Sequence, residues 1–80
     1  MLVPLFGFLK GDTIGLVVLV HDTDRIKDLA ASLQEAASVR VKPKTYAQVY
    51  RHGELLDPEL TIAEVGLSAL DRIDVIAENI

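Results

Sequence analysis

The chain has 80 residues, with 8 Lys+Arg against 12 Asp+Glu, and its formal net charge is −4. It contains no cysteine, which excludes disulfides, thiolate zinc sites, iron–sulfur ligation and cysteine nucleophiles. Half of the residues are nevertheless hydrophobic and the mean hydropathy is +0.32. Such a composition is unusually apolar for a small chain, which has much surface for its volume.

Membrane insertion does not account for this hydropathy. The longest uncharged runs, residues 1–9 and 13–20, are far shorter than the roughly 18–20 apolar residues of a spanning helix. The first residues carry no basic side chain of the kind that begins a signal peptide. We therefore expect a soluble, cytoplasmic protein that forms a single domain over residues 1–80.

The first twenty residues predict a β-hairpin. Residues 3–9 and 14–20 are rich in strand-forming side chains, and Lys10-Gly11-Asp12-Thr13 between them is typical of a turn. A half-buried strand alternates apolar and polar residues, but the second strand is apolar on both faces. One face would carry Ile14, Leu16, Val18 and Val20, and the other Val17 and Leu19.

A long amphipathic helix is predicted over about residues 24–37. The acidic cluster Asp22-Thr23-Asp24 has the side chains that cap helix N-termini. Apolar residues then recur at helical spacing, and they are Ile26, Leu29, Ala30, Leu33 and Ala37. Pro43 prevents the helix from continuing through the loop that follows.

The second half of the chain predicts two further strands, one helical turn and a final strand. The strands cover residues 47–51 and 55–56, with His52-Gly53-Glu54 as the turn between them. Thr61 and Glu64 have the spacing of a capping box for a short helix over residues 61–67. The last strand, residues 72–77, would direct Ile73 and Val75 inward.

This element order predicts an α+β protein of the β-grasp (ubiquitin-like) type. It would have a mixed sheet of four to five strands with one long helix packed on one face. Charge is uneven along the chain: residues 1–52 carry seven basic and five acidic side chains, whereas residues 53–80 carry one and seven. An acidic patch is therefore expected towards the C-terminal end.

No group of residues has the pattern of a catalytic site. His21 beside Asp22 and Asp24 suggests a metal site, but an exposed strand end next to helix-capping acids explains the same residues better. His52 and Glu54 suggest an acid–base pair, but the tip of a tight turn offers no cleft. We expect no cofactor and no catalytic residue in this chain.

Basic residues alternate in the loop after the helix, at Arg40, Lys42 and Lys44. Such alternation can face nucleic acid, but the chain is acidic overall and lacks an aromatic platform for bases. We interpret the loop as solvated or in contact with a protein partner, and we expect neither nucleic acid nor membrane as a ligand.

Several ordered motifs resemble known proteins. From residue 49 to residue 75 the chain is similar to ubiquitin, with a strand leading to Gly53, then Leu56-Asp57 and a capped turn at Thr61. A wider set resembles the γ (B) subunit of toluene monooxygenase hydroxylases, which belong to the soluble multicomponent diiron monooxygenases. That set comprises Val49-x-Arg51-His52, Leu56-x-Pro58, Leu60-Thr61-Ile62-Ala63-Glu64-x-Gly66-Leu67 and Ile73-Asp74-Val75-Ile76.

The resemblance implies a non-catalytic structural subunit of a bacterial hydrocarbon monooxygenase hydroxylase. Its partners would be the large and medium subunits of an αβγ dimer, and the diiron centre would lie in the large subunit. The turn at residues 10–13 is longer than the family form, and the loop after the helix is shorter and less basic. These departures leave toluene, alkenes and other hydrocarbons all open as substrates of the complex.

Two other functions are known for ubiquitin-like chains of this size. A ubiquitin-like modifier needs a tail that ends in Gly-Gly, whereas this chain ends Ala77-Glu78-Asn79-Ile80. A free-standing ubiquitin-like interaction or secretion-accessory module, unrelated to oxygenases, would have the same fold and stays open as the alternative.

The second face of the sheet carries the functional signal. Val17 and Leu19, with part of the first strand, cannot point at the helix, and contiguous exposed apolar surface marks partner sites. Tyr50 is expected on the same face, away from the helix. The candidate partner-binding residues are therefore Val17, Leu19, Tyr50, His52 and Arg40.

Overall fold

A computed structural model describes residues 1–79 as one five-stranded sheet with a long and a short helix. In chain order the elements are β1 (Leu2–Leu9), β2 (Leu16–His21), α1 (Ile26–Ala36), β3 (Tyr46–Arg51), β4 (Glu54–Leu55), α2 (Ile62–Val65) and β5 (Arg72–Glu78). The strand order is β2-β1-β5-β3-β4, and β1 runs parallel to β5 while the other neighbours are antiparallel. The predicted mixed sheet with one long helix is confirmed.

The core lies between α1 and one face of the sheet. Ile26, Leu29 and Leu33 of α1 are completely buried, and so are Leu5 of β1 and Ile73 of β5. Each strand alternates its side chains between the two faces, so its buried residues share one face. The helical spacing of the apolar residues of α1 is thus explained by a single contact surface with the sheet.

Close approach of α1 to β1 depends on a glycine. A Cβ atom built on Gly7 would lie 2.9 Å from both terminal methyl carbons of Leu33. Leu33 therefore occupies the space that a side chain at residue 7 would need, and interior packing leaves few gaps in which it could move aside.

The β1–β2 connection is longer than the sequence pattern predicted. We expected the second strand to begin at residue 14, but β2 begins at Leu16, and Ile14 lies outside the sheet with 49% of its surface exposed. The Asp12 carboxylate accepts a hydrogen bond from the Thr13 amide at 2.7 Å and binds Arg40, which holds the chain away from the ladder. The prediction that Ile14 shares the core face was wrong for this reason.

The beginning of α1 also differs from the prediction. The residue that caps the helix is Arg25, and its amide donates to the Asp28 carboxylate at 2.9 Å. Asp24 instead accepts from the amide of His21 at 2.9 Å, and Asp22 pairs with the N-terminal ammonium at 3.2 Å. Asp24 thus closes the turn after β2, and Asp22 connects that turn to the start of β1. Neither carboxylate caps the helix, so that expectation was wrong.

The β3–β4 hairpin has a two-residue turn at His52-Gly53. Both residues have positive φ angles, 53° and 76°, as a type I′ turn requires. The Leu56 amide continues the pairing by donating to the Val49 carbonyl at 2.9 Å. The turn thus sets the register of β4, although the strand itself has only two residues.

The capping box of α2 is confirmed. The Glu64 amide donates to Thr61 Oγ1 at 3.1 Å, and the Thr61 amide donates to Glu64 Oε1 at 3.0 Å. This second hydrogen bond, with further hydrogen bonding to Thr61, lowers the pKa of Glu64 below its ordinary value. Gly66, with φ of 81°, ends the helix in the left-handed conformation.

We predict that Thr61→Ala lowers the free energy of unfolding by about 1 kcal/mol, because it removes the acceptor for the Glu64 amide. Urea denaturation of the isolated chain measures this change. Thr23→Ala, at an exposed threonine in the turn before α1, is the matched control and should alter stability by less than about 0.5 kcal/mol. Equal stability of the two variants would contradict the prediction.

Candidate partner-docking surface

The sheet face away from α1, here called the open face, is apolar at its β1–β2 end. Cross-strand pairing places Pro4 opposite Leu19 and Phe6 opposite Val17. Paired residues point to the same side of a sheet, and the intervening residues of both strands are buried against α1. The apolar side chains of this end are Leu2, Pro4, Phe6, Phe8, Val17 and Leu19.

Three of these side chains are more than half exposed. The exposed fraction is 64% for Leu19, 58% for Val17 and 55% for Leu2, whereas Val18 and Val20, which alternate with Val17 and Leu19 along β2, are buried. The two-sided apolar pattern of β2 therefore has a physical meaning: one side forms core and the other meets solvent. Single exposed leucines are common, but contiguous apolar surface of this kind marks an interaction site.

Stacked aromatic rings on β1 lie where the apolar end of the open face borders β5. The rings of Phe6 and Phe8 have centroids 4.9 Å apart at an interplanar angle of 21°. They lie across Gly15, where an added Cβ would come within 2.7 Å of the Phe8 ring. The Arg72 guanidinium carbon stands 4.0 Å from the centroid of Phe8, a cation–π geometry.

The β5–β3 half of the open face is mainly polar, although Tyr46 and Ile76 also lie on it. Arg72 of β5 forms an ion pair with Asp74 at 3.1 Å, and Asp74 pairs across the strands with Tyr50. Tyr50 is half-buried, and its hydroxyl lies 3.3 Å from Gln48 Oε1. Three strand spacings, about 14 Å, separate the β2 residue Leu19 from Tyr50 across the sheet. The structure thus places Tyr50 on the predicted face, but at its polar end.

The other two candidate residues lie away from the apolar end. His52 is exposed at the tip of the β3–β4 turn. Arg40 follows α1, and its guanidinium donates two hydrogen bonds to the Asp12 carboxylate, at 2.8 and 2.9 Å. Arg40 therefore connects the end of the helix to the β1–β2 turn.

Sequence reasoning left the contribution of β1 unspecified and missed Leu2. The alternation of side chains along β1 would have predicted this contribution, since Val3, Leu5 and Leu9 are buried while Leu2 and Phe6 are exposed. Because Leu5 faces the core and side chains alternate along a strand, the even-numbered residues of β1 all lie on the open face.

Within residues 1–79, no three or more His, Asp or Glu side chains are grouped so as to hold a metal ion. His21, Asp22 and Asp24 are next to one another in sequence, but the two carboxylates bind backbone amide and ammonium groups as described above. No helix in the described part of the chain is long and apolar enough to cross a membrane.

Comparison with protein families identifies the chain. The family model described as toluene-4-monooxygenase system protein B matches residues 2–76, which is nearly the whole length. The chain belongs to this family. A search among curated proteins finds no match.

Solved structures agree with membership of the system protein B family. A chain of a structure described as the toluene 4-monooxygenase HD complex with the inhibitor 4-bromobenzoate has a TM-score of 0.88 and 28% identity. The match covers 98% of this chain and 100% of that one.

Ubiquitin-like proteins match at lower identity. A ubiquitin of Caldiarchaeum subterraneum has a TM-score of 0.77 and 12% identity, over 100% of this chain and 98% of that chain. The ubiquitin-like domain of Plasmodium falciparum Dsk2 has a TM-score of 0.75 and 13% identity, over 98% and 100%. These matches confirm the ubiquitin-like fold of the chain.

The ion pair between Arg40 and Asp12 predicts a pH dependence of stability. The Arg40 guanidinium holds the pKa of Asp12 below its ordinary value of 3.8, and the carboxylate raises the pKa of Arg40. Because the folded pKa of Asp12 is depressed, its stabilising effect is fully present above pH 3.8 and is lost as the pH falls through the folded pKa.

We expect Asp12→Asn to lower the free energy of unfolding at pH 7 but to have progressively less effect below pH 3.8. Urea denaturation at a series of pH values measures both the destabilisation at pH 7 and its decrease at low pH. Glu35→Gln removes the same charge from an exposed position of α1 and is the control. A destabilisation by Asp12→Asn that is the same at every pH would refute the ion-pair explanation.

Proposed function

We propose that this chain is the small, non-catalytic γ subunit of a multicomponent diiron hydrocarbon monooxygenase hydroxylase. It docks on the large, diiron-bearing subunit through the apolar end of its open face. The observation that carries the proposal is the exposed apolar surface of β1 and β2 in a family named for a toluene monooxygenase system. The 28% identical chain of the toluene 4-monooxygenase HD complex supports it.

The energetics of burial favour a permanent complex. Covering about 500 Å² of apolar surface contributes on the order of 12 kcal/mol before the costs of association are subtracted. Leu19, Val17 and Leu2 would contribute most to this free energy, since each is more than half exposed in the isolated chain. Interfaces of permanent complexes are likewise more apolar than ordinary protein surface.

The polar half of the open face would then form the rim of the interface. Arg72, Asp74 and Tyr50 already satisfy much of their hydrogen bonding and charge within the chain. Polar rims surround the apolar centres of interfaces and add orientation more than affinity. In this arrangement Tyr50 contacts the partner at the edge, whereas Val17 and Leu19 lie at the centre.

Chemistry belongs to the large subunit in this proposal. The diiron centre and the hydrocarbon pocket lie there, and this chain contributes to assembly and shape in a cytoplasmic bacterial αβγ dimer that also contains the medium subunit. In this proposal His52 and Arg40, the two other candidate partner-binding residues, lie outside the apolar end and act mainly within the fold. Arg40 serves the fold through Asp12, and His52 serves the type I′ turn.

The proposal is tested by placing a charge on the apolar end. We expect Leu19→Asp to reduce co-purification of this chain with co-expressed large and medium hydroxylase subunits by at least tenfold. The isolated variant should keep its fold, because Leu19 points away from α1 and is already 64% exposed. Complex yield by size-exclusion chromatography and the thermal midpoint of the isolated chain are the two measurements.

Val39→Asp is the matched control, since Val39 is an 85% exposed aliphatic residue in the loop after α1. It should leave co-purification unchanged. Failure of the wild-type chain to bind the hydroxylase subunits would overturn the proposal and favour a free-standing interaction module. Equal loss of assembly and thermal stability in Leu19→Asp would instead assign Leu19 to the core.

A further inference from the structure

Leu70 has a backbone conformation that leucine rarely adopts. Its φ angle is 63°, and within residues 1–79 the other non-glycine residue with positive φ is His52, which the type I′ turn requires. The conformation is fixed by hydrogen bonds on both sides of the residue. The Leu70 amide donates to the Pro4 carbonyl at 2.6 Å, and the next amide, that of Asp71, donates to the Ser68 carbonyl at 3.0 Å.

The turn explains the backbone angle but not the choice of leucine. Glycine adopts positive φ without steric cost, and asparagine and aspartate tolerate it better than branched apolar residues do. Leu70 gains little from burial in return, because 61% of its surface is exposed. A strained and exposed leucine therefore lowers the stability of the isolated chain, and residues of this kind concentrate at functional sites.

The position of Leu70 extends the apolar end of the open face. The parallel register pairs Phe6 of β1 with Arg72 of β5, so Leu70, two residues earlier, lies beside Pro4. Pro4 in turn pairs with Leu19 across β2. The backbones of Leu19, Pro4 and Leu70 are thus neighbours at one end of the sheet, where the exposed Leu70 adjoins the apolar end of the open face.

We propose that Leu70 is an anchor residue of the docking surface, held in a strained turn so that its side chain enters an apolar recess of the large hydroxylase subunit. This inference rests on the proposed function and adds to the docking surface a residue that lies outside the strands. Binding energy at interfaces is concentrated in a few side chains that fill pockets of the partner. Rigid hydrogen bonding of the turn reduces the entropy lost when Leu70 is fixed in such a recess.

Leu70→Asn tests the inference, because asparagine is close to leucine in size, tolerates positive φ and lacks the apolar side chain. The dissociation constant of the purified chain for the remaining hydroxylase subunits should rise at least tenfold. The thermal midpoint of the isolated chain should stay the same or increase. Leu70→Gly is the second variant and should weaken binding to a similar degree by removing the side chain altogether.

Val39→Asn is the control, as it makes an equally polar change at an exposed aliphatic residue of a different loop. A dissociation constant within twofold of wild type for both Leu70 variants would overturn the inference. A marked fall of the thermal midpoint in both variants would also overturn it, since Leu70 would then act in folding.

Leu19→Asp in the same assay separates this inference from the proposed function. If Leu19→Asp prevents binding while the Leu70 variants bind normally, the docking surface stands and Leu70 is not part of it. If the wild-type chain does not bind the hydroxylase subunits, the proposed function fails and the role of Leu70 fails with it.

Discussion

Packing of α1 against one face of the sheet is the contact on which the rest of the structure depends. Leu33 lies over Gly7, and the side chains around it are fully buried. This contact holds together strands from both halves of the chain, since α1 packs on β1 and β2 as well as on β3, and the sheet is completed by the parallel pairing of β1 with β5. It also has a geometric consequence, because one helix covers one face. Whatever apolar residues the strands carry on the other face must meet solvent or another protein.

Hydrogen bonds and aromatic contacts keep that second face in order while it is uncovered. Phe6 and Phe8 stack on each other and Arg72 covers the Phe8 ring, which shields part of the apolar surface. Leu19 has no such cover. The open face therefore combines aromatic residues that are partly covered within the chain with aliphatic residues that remain exposed.

Local patterns predicted the elements well and the connections less well. The capping box of Thr61 and Glu64 was readable because both partners lie within one turn of helix. The expectation that Asp22 and Asp24 cap α1 was wrong because each carboxylate has another donor within reach. Asp24 binds the His21 amide, and Asp22 binds the N-terminal ammonium, which only the tertiary structure brings near. The start of β2 was misplaced because Asp12 binds Arg40, 28 residues later in the chain. Such a contact leaves no periodic signal.

The sequence by itself determined that β2 is apolar on both sides, that one helix is available to cover the sheet, and hence that apolar surface would remain. These properties follow from side-chain periodicity, which each segment carries alone. Only the tertiary structure decided how far that surface extends and which residues border it. The order β2-β1-β5-β3-β4 separates Tyr50 from Leu19 and brings Leu70 beside Pro4, 66 positions away in sequence. Neighbours across a sheet are set by register between distant strands, and no local pattern of residues records that register.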